Sequence, residues 1–285
     1  MKISIVIPAK NEAKGLVKIL PELKGIYPDA EIIVVDDGST DETSVIASDL
    51  GALVIGHPYS KGNGASIKSG LRAAKNSVII CMDADGQHRP EDIVELLKKM
   101  DDGYDMVVGS RNKYGQASLH RSAANGFYNR FASWMTGHQV EDLTSGFRAV
   151  KADKFKEFIS LLPNKFSYPT TITMSFFRAG YSVCYVPVSV QGRVEGTSSH
   201  INVWRDGVRF LLIIFKIGTL FSPLKLFLPI SLSFFGMGIG YYLYTYFSDG
   251  RFTNMGALLF TTSIIVFLMG LISEQITTLL YKDTE

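Results

Sequence analysis

The sequence contains little cysteine, little histidine and almost no net charge. Its two cysteines, Cys81 and Cys184, lie in apolar runs typical of strands, so we expect buried reduced thiols rather than a disulfide framework. Its five histidines are scattered without the spacing of a zinc site. The 29 basic and 27 acidic residues give a net charge of +2, so bulk charge does not indicate a nucleic-acid partner. Met1 leads directly into an apolar run, and no signal peptide is expected.

Charge is missing altogether from two long segments near the C-terminus. Residues 226–248 and 252–273 contain no Asp, Glu, Lys or Arg, and each is long enough to cross a bilayer as a helix. A short polar loop at 249–251 separates them. We therefore expect a membrane hairpin. The alternative is a pair of helices buried in a soluble core, which runs of this length disfavour.

The distribution of basic residues predicts the orientation of the chain in the membrane. Basic residues precede the first span and Lys282 follows the second, whereas the loop between them carries only Arg251. We therefore expect a multi-pass protein of the cell (plasma) membrane whose soluble domain is cytoplasmic. Glu274, near the end of the second span, is expected to reach the interface or to pair with another chain. The expected segments are a cytoplasmic soluble domain at 1–205, an amphipathic interface helix at 206–221, and transmembrane helices at 222–248 and 252–281.

Apolar runs typical of strands alternate with helical patterns in the first part of the chain. This alternation predicts an α/β fold with a mostly parallel sheet and helices on both faces. The first strand is followed by PAKNE rather than G-x-G-x-x-G, and no P-loop pattern occurs, so dinucleotide-binding and P-loop enzymes are disfavoured. The expected strands lie at residues 3–7, 31–35, 52–55, 77–82 and 106–109.

The fourth of these apolar runs ends abruptly in carboxylates. Asp83, Asp85 and Gln87 follow it at alternate positions, which point the same way in an extended segment. Their oxygen atoms suit Mg²⁺ or Mn²⁺, with coordination positions left for substrate phosphates. The alternative is a polar turn in which Asp and Gly serve turn geometry. Glu12 and Asp37 follow the first two strands, and acidic strand ends along one rim favour a crevice for a sugar nucleotide.

Six motifs connect these observations to a known family. The chain contains, in this order, IPAKNE, VVDDGSTDET, KGNGASIKSG, MDADGQHRPED, GSR and LTSGFRA. Together they resemble the family-2 inverting glycosyltransferases, most closely the polyprenyl-phosphate branch that includes dolichol-phosphate mannose synthases. The resemblance covers most of the soluble domain and implies the A-type glycosyltransferase fold, which is Rossmann-like. It also implies metal-dependent transfer of a mannose- or glucose-type hexose from a GDP- or UDP-sugar to dolichyl or undecaprenyl phosphate.

The resemblance implies roles for individual residues. Lys10 stands where the family often has Tyr, and Ser199 stands where mannose synthases carry Lys, so the sugar is left open. The residues expected to be catalytic are Asp85, Arg111 and Asp142, and the metal ligands are Asp83, Asp85 and Gln87. Contacts to the nucleotide sugar are expected from Pro8, Lys10, Glu12, Val35, Asp37, Asp83, Ala84, Asp85, Arg111, Arg193 and Ser199.

The segment after the fifth strand is basic and indicates the acceptor side. Arg111, Arg121 and Asn125 are expected to bind the acceptor phosphate, because the last two lie one helical turn apart and can face one anion. The alternative is an ordinary solvated basic surface. A lipid phosphate is already an anion, so Asp142 is expected to orient the acceptor or Arg148 rather than to act as a base.

Two other functions are compatible with such a sequence. One is a processive polysaccharide synthase, although the Q-x-x-R-W pattern of those enzymes does not occur here. The other is a non-catalytic membrane scaffold with the same fold, which would bind no sugar nucleotide. Association of the chain into a homo-oligomer is left open.

Overall fold

The computed structural model describes residues 1–111, 119–165, 167–189, 215 and 218–281. Within residues 119–125, and at residues 249, 280 and 281, it describes the main chain only. The chain divides into two compact units, Met1–Ile201 and Asn202–Glu285.

The first unit alternates strands and helices, as the sequence pattern predicts. Its strands are β1 Ile3–Ala9, β2 Glu31–Asp36, β3 Leu53–Gly56, β4 Val78–Cys81, β5 Met106–Arg111, β6 Arg148–Lys151 and β7 Val183–Val188. Its helices are α1 Ala13–Ile26, α2 Thr43–Asp49, α3 Asn63–Ala73, α4 Ile93–Asp101, α5 Leu119–Thr136, α6 Ala152–Glu157 and α7 Tyr168–Arg178, with a 3₁₀ turn at Pro90–Asp92 before α4.

The described strands form one sheet in the order β3-β2-β1-β4-β6-β5-β7. All neighbouring pairs are parallel except those of β6, which runs antiparallel to both β4 and β5. The predicted α/β class and mostly parallel sheet are therefore confirmed. The insertion of β6 was not predicted, because four residues beginning with a charged arginine do not form a recognisable apolar run.

Successive strands are added first on one side of β1 and then on the other, and this switch predicts where a crevice lies. From β1 the chain adds β2 and β3 on one side and then returns to add β4 on the other. In parallel sheets such a switch point opens a crevice at the carboxyl ends of the strands. Helix α1 packs tightly over this end, since a Cβ atom on Gly15 would lie 2.1 Å from the Ala84 carbonyl oxygen. Glycine at position 15 therefore lets the segment after β4 lie directly against α1.

The second unit contains two long apolar helices, α8 Pro223–Asp249 and α9 Asn254–Tyr281. Both are candidate membrane spans by length and composition. Only 11% of the most apolar stretch of α8 and 17% of that of α9 is buried, whereas a helix pair in a soluble core would be mostly buried. The expected apolar helices are therefore present as candidate membrane spans, and the buried-core alternative is disfavoured.

Polar side chains join the two helices of this hairpin. Ser231 and Ser263 each donate a hydroxyl hydrogen bond of 2.9 Å to the other's carbonyl oxygen. Glu274 Oε2 accepts the Leu224 amide hydrogen bond at 3.2 Å, so a carboxylate from α9 caps the first turn of α8. Glu274 thus has an intramolecular role, which the sequence did not reveal.

Candidate functional site

The loops that follow β1 and β2 are bound to each other at the crevice. The amide of Asn11 donates to Ser39 Oγ at 2.9 Å, and the amide of Glu12 donates to Thr43 Oγ1 at 3.0 Å. Asn11 Oδ1 in turn accepts the Thr40 amide at 2.8 Å. Asn11 has a φ of 55°, a left-handed conformation that asparagine tolerates better than most residues. The PAKNE and DDGSTDET motifs therefore form one hydrogen-bonded rim.

Asp37 anchors the segment after β3 to this rim. Its carboxylate is buried and accepts hydrogen bonds from the Ser60 hydroxyl at 2.7 Å and from the amides of Lys61 and Gly62 at 2.8 Å each. His57 Nδ1 lies 2.8 Å from the same carboxylate. Burial alone would raise the pKa of Asp37, but these hydrogen bonds outweigh it and lower the pKa to about 2. Asp37 thus holds the KGNG turn in place, and its expected contact with the nucleotide stays a prediction.

We expect Asp37→Asn to destabilise the fold in a pH-dependent manner. Because the folded pKa lies below the ordinary carboxyl value, the ionised group stabilises the fold above about pH 4, and this contribution is lost as the pH falls through about 2. The variant should lower the free energy of unfolding by about 2 kcal/mol at neutral pH. Denaturant unfolding in detergent, followed by circular dichroism across this pH range, measures the difference. Asp49→Asn, which removes an exposed carboxylate of α2, is the matched control. A difference that stays constant with pH would contradict the assignment.

The segment after β4 presents its side chains alternately. Asp83, Asp85 and Gln87 are partly exposed, whereas the residues between them are buried. The amide of Gln87 donates to Asp85 Oδ1 at 3.1 Å, and Gly86 has a φ of 69°, which glycine adopts without strain. The two carboxylates and the amide therefore belong to one partly exposed turn, whose donor set suits a hard cation. Within the described part of the chain, no group of three His, Cys, Asp or Glu side chains is arranged to hold a metal ion.

Arg111, at the end of β5, forms a bidentate ion pair with Asp142. Arg111 Nε and Nη2 donate to the two carboxylate oxygens at 2.8 and 3.0 Å, and Nη2 also donates to Thr144 Oγ1 at 2.6 Å. The amides of Thr144 and Ser145 donate to Asp142 at 3.1 Å each. Burial alone would raise the pKa of Asp142, but these hydrogen bonds and the Arg111 charge lower it. Asp142 is therefore an ionised group that orients Arg111. Arg148, its other expected partner, is hydrogen-bonded elsewhere.

His88 is a buried histidine directly after the acidic turn. Its ring is buried and stacks on Phe147 with the centroids 4.7 Å apart. Burial lowers the pKa of His88, while the charges of Asp85 and Asp142 oppose this and that of Arg111 adds to it. Charges from both groups therefore act on one imidazole, and a Cβ atom on Gly146, four residues after Asp142, would lie 3.1 Å from Asp83 Oδ2, so the β4 end and the Arg111–Asp142 pair are neighbours. His88 lies within the MDADGQHRPED motif, but nothing in the sequence assigns it a role.

The remaining expected site residues differ in what the structure shows of them. Val35 and Ala84 have fully or almost fully buried side chains, so a ligand could contact them only through their main chain. Lys10 is exposed, and Pro8 and Glu12 are partly exposed at the rim. Arg193 and Ser199, together with the side chains of Arg121 and Asn125, lie outside the described residues.

Comparison with known proteins gives two family matches. Residues 4–159 match the family described as glycosyl transferase family 2, and residues 222–279 match the GtrB C-terminal hairpin. The polyprenol monophosphomannose synthase of Mycolicibacterium smegmatis is 31% identical over 68% of this chain and 79% of its own. Glycosyltransferase AglJ of Haloferax volcanii is 25% identical over 97% of this chain and 94% of its own. The undecaprenyl-phosphate mannosyltransferase of Micrococcus luteus is 29% identical over 70% and 87%.

Solved structures show the same fold at lower sequence identity. A glucosyl-3-phosphoglycerate synthase from Mycobacterium tuberculosis, in complex with Mn²⁺ and UDP-glucose, superposes with a TM-score of 0.60 at 19% identity. The superposition covers 76% of this chain and 78% of that one. At this identity the likeness establishes the fold alone.

Proposed function

The chain belongs to glycosyl transferase family 2, and on that premise we propose that it transfers a hexose from a GDP- or UDP-sugar to a polyprenyl phosphate. The relatives named above are transferases of this general class, and the GtrB-type hairpin follows the transferase domain in the same chain. The observation that carries the proposal is the meeting of the β4 acidic turn with the Arg111–Asp142 pair. Carboxylates for a cation and an arginine for phosphate are the groups that a nucleoside diphosphate sugar requires.

The acidic turn is the proposed place for a divalent cation. Asp83, Asp85 and Gln87 would supply oxygen ligands to Mg²⁺ or Mn²⁺, and the bound ion would neutralise charge on the departing diphosphate. Because the protein offers only two carboxylates and one amide here, the diphosphate would complete the coordination shell. The Mn²⁺ and UDP-glucose in the structurally similar synthase support this assignment by analogy of fold.

Arg111 is proposed to bind phosphate with the part of its guanidinium that Asp142 leaves available. Asp142 and Thr144 use Nε and Nη2, and Nη1 makes no hydrogen bond to any described residue. The Arg111 side chain is about one-third exposed, so part of it is open to a ligand. Its pKa is raised by the hydrogen bond to Asp142 and by the charge of Asp83, so the group stays cationic. Its fixed orientation stabilises negative charge without further rearrangement.

The reaction needs no strong base. A polyprenyl phosphate oxygen is already ionised, and it would attack the anomeric carbon from the side opposite the nucleotide, which inverts the configuration. Asp142 has a lowered pKa and accepts hydrogen bonds from several donors, so it is suited to holding Arg111 rather than to removing a proton. Positioning of the two substrates therefore contributes much of the rate acceleration.

An aromatic surface on α5 supports approach of the acceptor from a bilayer. Phe127, Phe131 and Trp134 lie four and three residues apart, and successive ring centroids are separated by 6.5 and 5.9 Å. Phe127 is 61% exposed and Trp134 is 50% exposed. Large exposed aromatic side chains are typical of membrane interfaces. With the two apolar spans, this favours a multi-pass protein of the plasma membrane, and the basic residues before the first span and after the second favour a cytoplasmic catalytic domain.

A panel of GDP- and UDP-hexoses tests this function. Calorimetry on the full chain in detergent, with Mn²⁺ or with a chelator, should show metal-dependent binding of one member of the panel. Incubation of that sugar nucleotide, radiolabelled in the hexose, with undecaprenyl or dolichyl phosphate should then move the label into the lipid. Absence of binding across the panel would overturn the transferase assignment and favour a scaffold. Formation of a polymer rather than a monoglycosylated lipid would favour a processive synthase.

A further inference from the structure

Arg148 is a fully buried cation next to the proposed site. It begins β6 and pairs in the sheet with Cys81, two residues before Asp83. Its Nη1 donates to the Pro169 carbonyl oxygen at 3.1 Å and to Thr173 Oγ1 at 3.2 Å, and its Nη2 donates to the Ser145 carbonyl oxygen. Within the described residues, Nε has no hydrogen-bond partner and no carboxylate oxygen lies within 4.0 Å of the guanidinium.

A buried guanidinium without a carboxylate partner is a costly element in a folded core. Transfer of a charge from water to the interior is compensated only when fixed dipoles or charges replace the lost hydration. A methionine or leucine would fill the same volume without this cost. Apart from a weak hydrogen bond from Nη1 to Met106 Sδ at 3.7 Å, the hydrogen bonds of Arg148 go to two elements, the 145–148 segment and the first turns of α7. This pattern indicates that the residue joins these elements to each other.

The joined segment lies against the carboxylate of Asp83. A Cβ atom on Gly146 would lie 3.1 Å from Asp83 Oδ2, closer than most carbon–oxygen contacts, and 3.5 Å from the Tyr168 hydroxyl oxygen. Tyr168, the first residue of α7, donates its hydroxyl hydrogen bond to the Gly146 carbonyl oxygen at 3.3 Å. The Arg148 guanidinium lies 5.8 Å from the centre of the Tyr168 ring, within the range of a cation–π contact. Gly146 is thus held between Tyr168 and Asp83.

We propose that Arg148, Tyr168 and Gly146 are positioning residues that hold the Asp83 carboxylate in the orientation needed for metal and diphosphate binding. Arg148 and Tyr168 fix the position of the Gly146 main chain, and the absence of a side chain on Gly146 allows the Asp83 carboxylate to pack against it. This role presupposes the transfer reaction proposed above. Groups that support a metal ligand from behind commonly change metal affinity or activity by about 10–100-fold when they are altered.

Four variants of the full chain in detergent test this role. Gly146→Ala adds a methyl group against Asp83, Tyr168→Phe removes the hydroxyl that binds the Gly146 carbonyl, and Arg148→Met and Arg148→Lys remove the guanidinium fork. Gly25→Ala is the matched control for the first, because a Cβ atom there meets no atom within 4 Å. For each protein, calorimetry measures the affinity for the nucleoside diphosphate of the donor in Mn²⁺ and in chelator. The steady-state KM, the kcat and the melting temperature are measured in parallel.

We expect Gly146→Ala to weaken the Mn²⁺-dependent affinity by about tenfold, with little change in melting temperature or in the affinity measured in chelator. Tyr168→Phe should have a smaller effect of the same kind, and Gly25→Ala should have none. The two Arg148 variants should raise the KM for the donor by more than their decrease in melting temperature would explain.

Other outcomes separate the failure of this role from the failure of the proposed reaction. Wild-type affinity and KM in Gly146→Ala, in a protein that binds the donor in a metal-dependent manner, would overturn the positioning role while leaving the transferase intact. Arg148 variants that melt early but bind normally would assign Arg148 to stability alone and would overturn it as well. A wild-type protein that binds no sugar nucleotide would overturn both.

Discussion

Replacing Asp85 by asparagine is expected to reduce hexose transfer by at least about 100-fold. Asparagine retains an oxygen that can accept the Gln87 amide hydrogen bond, now 3.1 Å long, so the turn after β4 should keep its shape. What the substitution removes is one negative charge from the proposed cation ligands. Because a neutral amide binds Mg²⁺ or Mn²⁺ much more weakly than a carboxylate does, both the ion and the diphosphate it holds should bind poorly. Transfer of radiolabelled hexose to polyprenyl phosphate, measured over a range of metal concentrations, provides the test.

The metal titration separates this effect from general damage. If Asp85 is a ligand, high Mn²⁺ should restore part of the activity of Asp85→Asn, and the melting temperature should remain near that of the wild type. Asp101→Asn removes an exposed carboxylate at the end of α4 and should leave transfer unchanged. Full activity of Asp85→Asn at low metal concentration would exclude the ligand role.

Replacing Arg111 by lysine is expected to lower kcat/KM by about 100-fold. A lysine ammonium cannot form the two parallel hydrogen bonds that Arg111 makes to Asp142 at 2.8 and 3.0 Å. The cation would then lose its fixed direction, and with it the ability to meet a phosphate without rearrangement. Replacing Asp142 by asparagine should have a related effect. It should also destabilise the fold by about 3 kcal/mol, since Arg111 is then left partly buried without its partner.

A double-mutant cycle shows whether the two residues act as a unit. If Asp142 works by orienting Arg111, the loss in kcat/KM for the double variant should be far smaller than the product of the two single losses. If Asp142 instead removes a proton from the acceptor, the two single decreases in kcat/KM should multiply in the double variant, and the decrease for the Asp142 variant should depend on pH. The same activity assay, run at saturating metal, distinguishes these results. Single-variant losses that add as free energies, and so multiply in kcat/KM, would contradict the orienting role.

Much of the fold followed from local sequence patterns. The apolar runs that became β1, β2, β4 and β5 are short, rich in β-branched residues and bounded by turn residues, so they were recognisable without knowledge of their partners. The motif resemblance was confirmed by the glycosyl transferase family 2 match. The two charge-free runs correspond to the long apolar helices and the GtrB-type hairpin. These features depend on composition over a few residues, which sequence alone records.

The arrangement within the site was less accessible. Nothing near Asp37 in sequence shows that His57 and Ser60 bind it, because those contacts span 20 and 23 residues. The sequence suggests Arg148 as a partner for Asp142, whereas in the structure it donates hydrogen bonds to α7. Strand β6 is not recognisable in the sequence because its first residue is charged. Gly146 lay in the same motif, but only its distance from Asp83 explains why a side chain is unfavourable there.

The sequence by itself determined the class of chain, an α/β transferase domain followed by an apolar hairpin, and the residue types of an acidic turn. Tertiary structure decided which partner each charged group has, that Asp142 holds Arg111, and that Asp83 rests on Gly146. The physical reason is the separation along the chain over which each kind of interaction acts. Propensity and hydrophobic pattern act between neighbours in the chain, whereas the orientation of a buried charge depends on donors that meet only when distant strands and helices pack together.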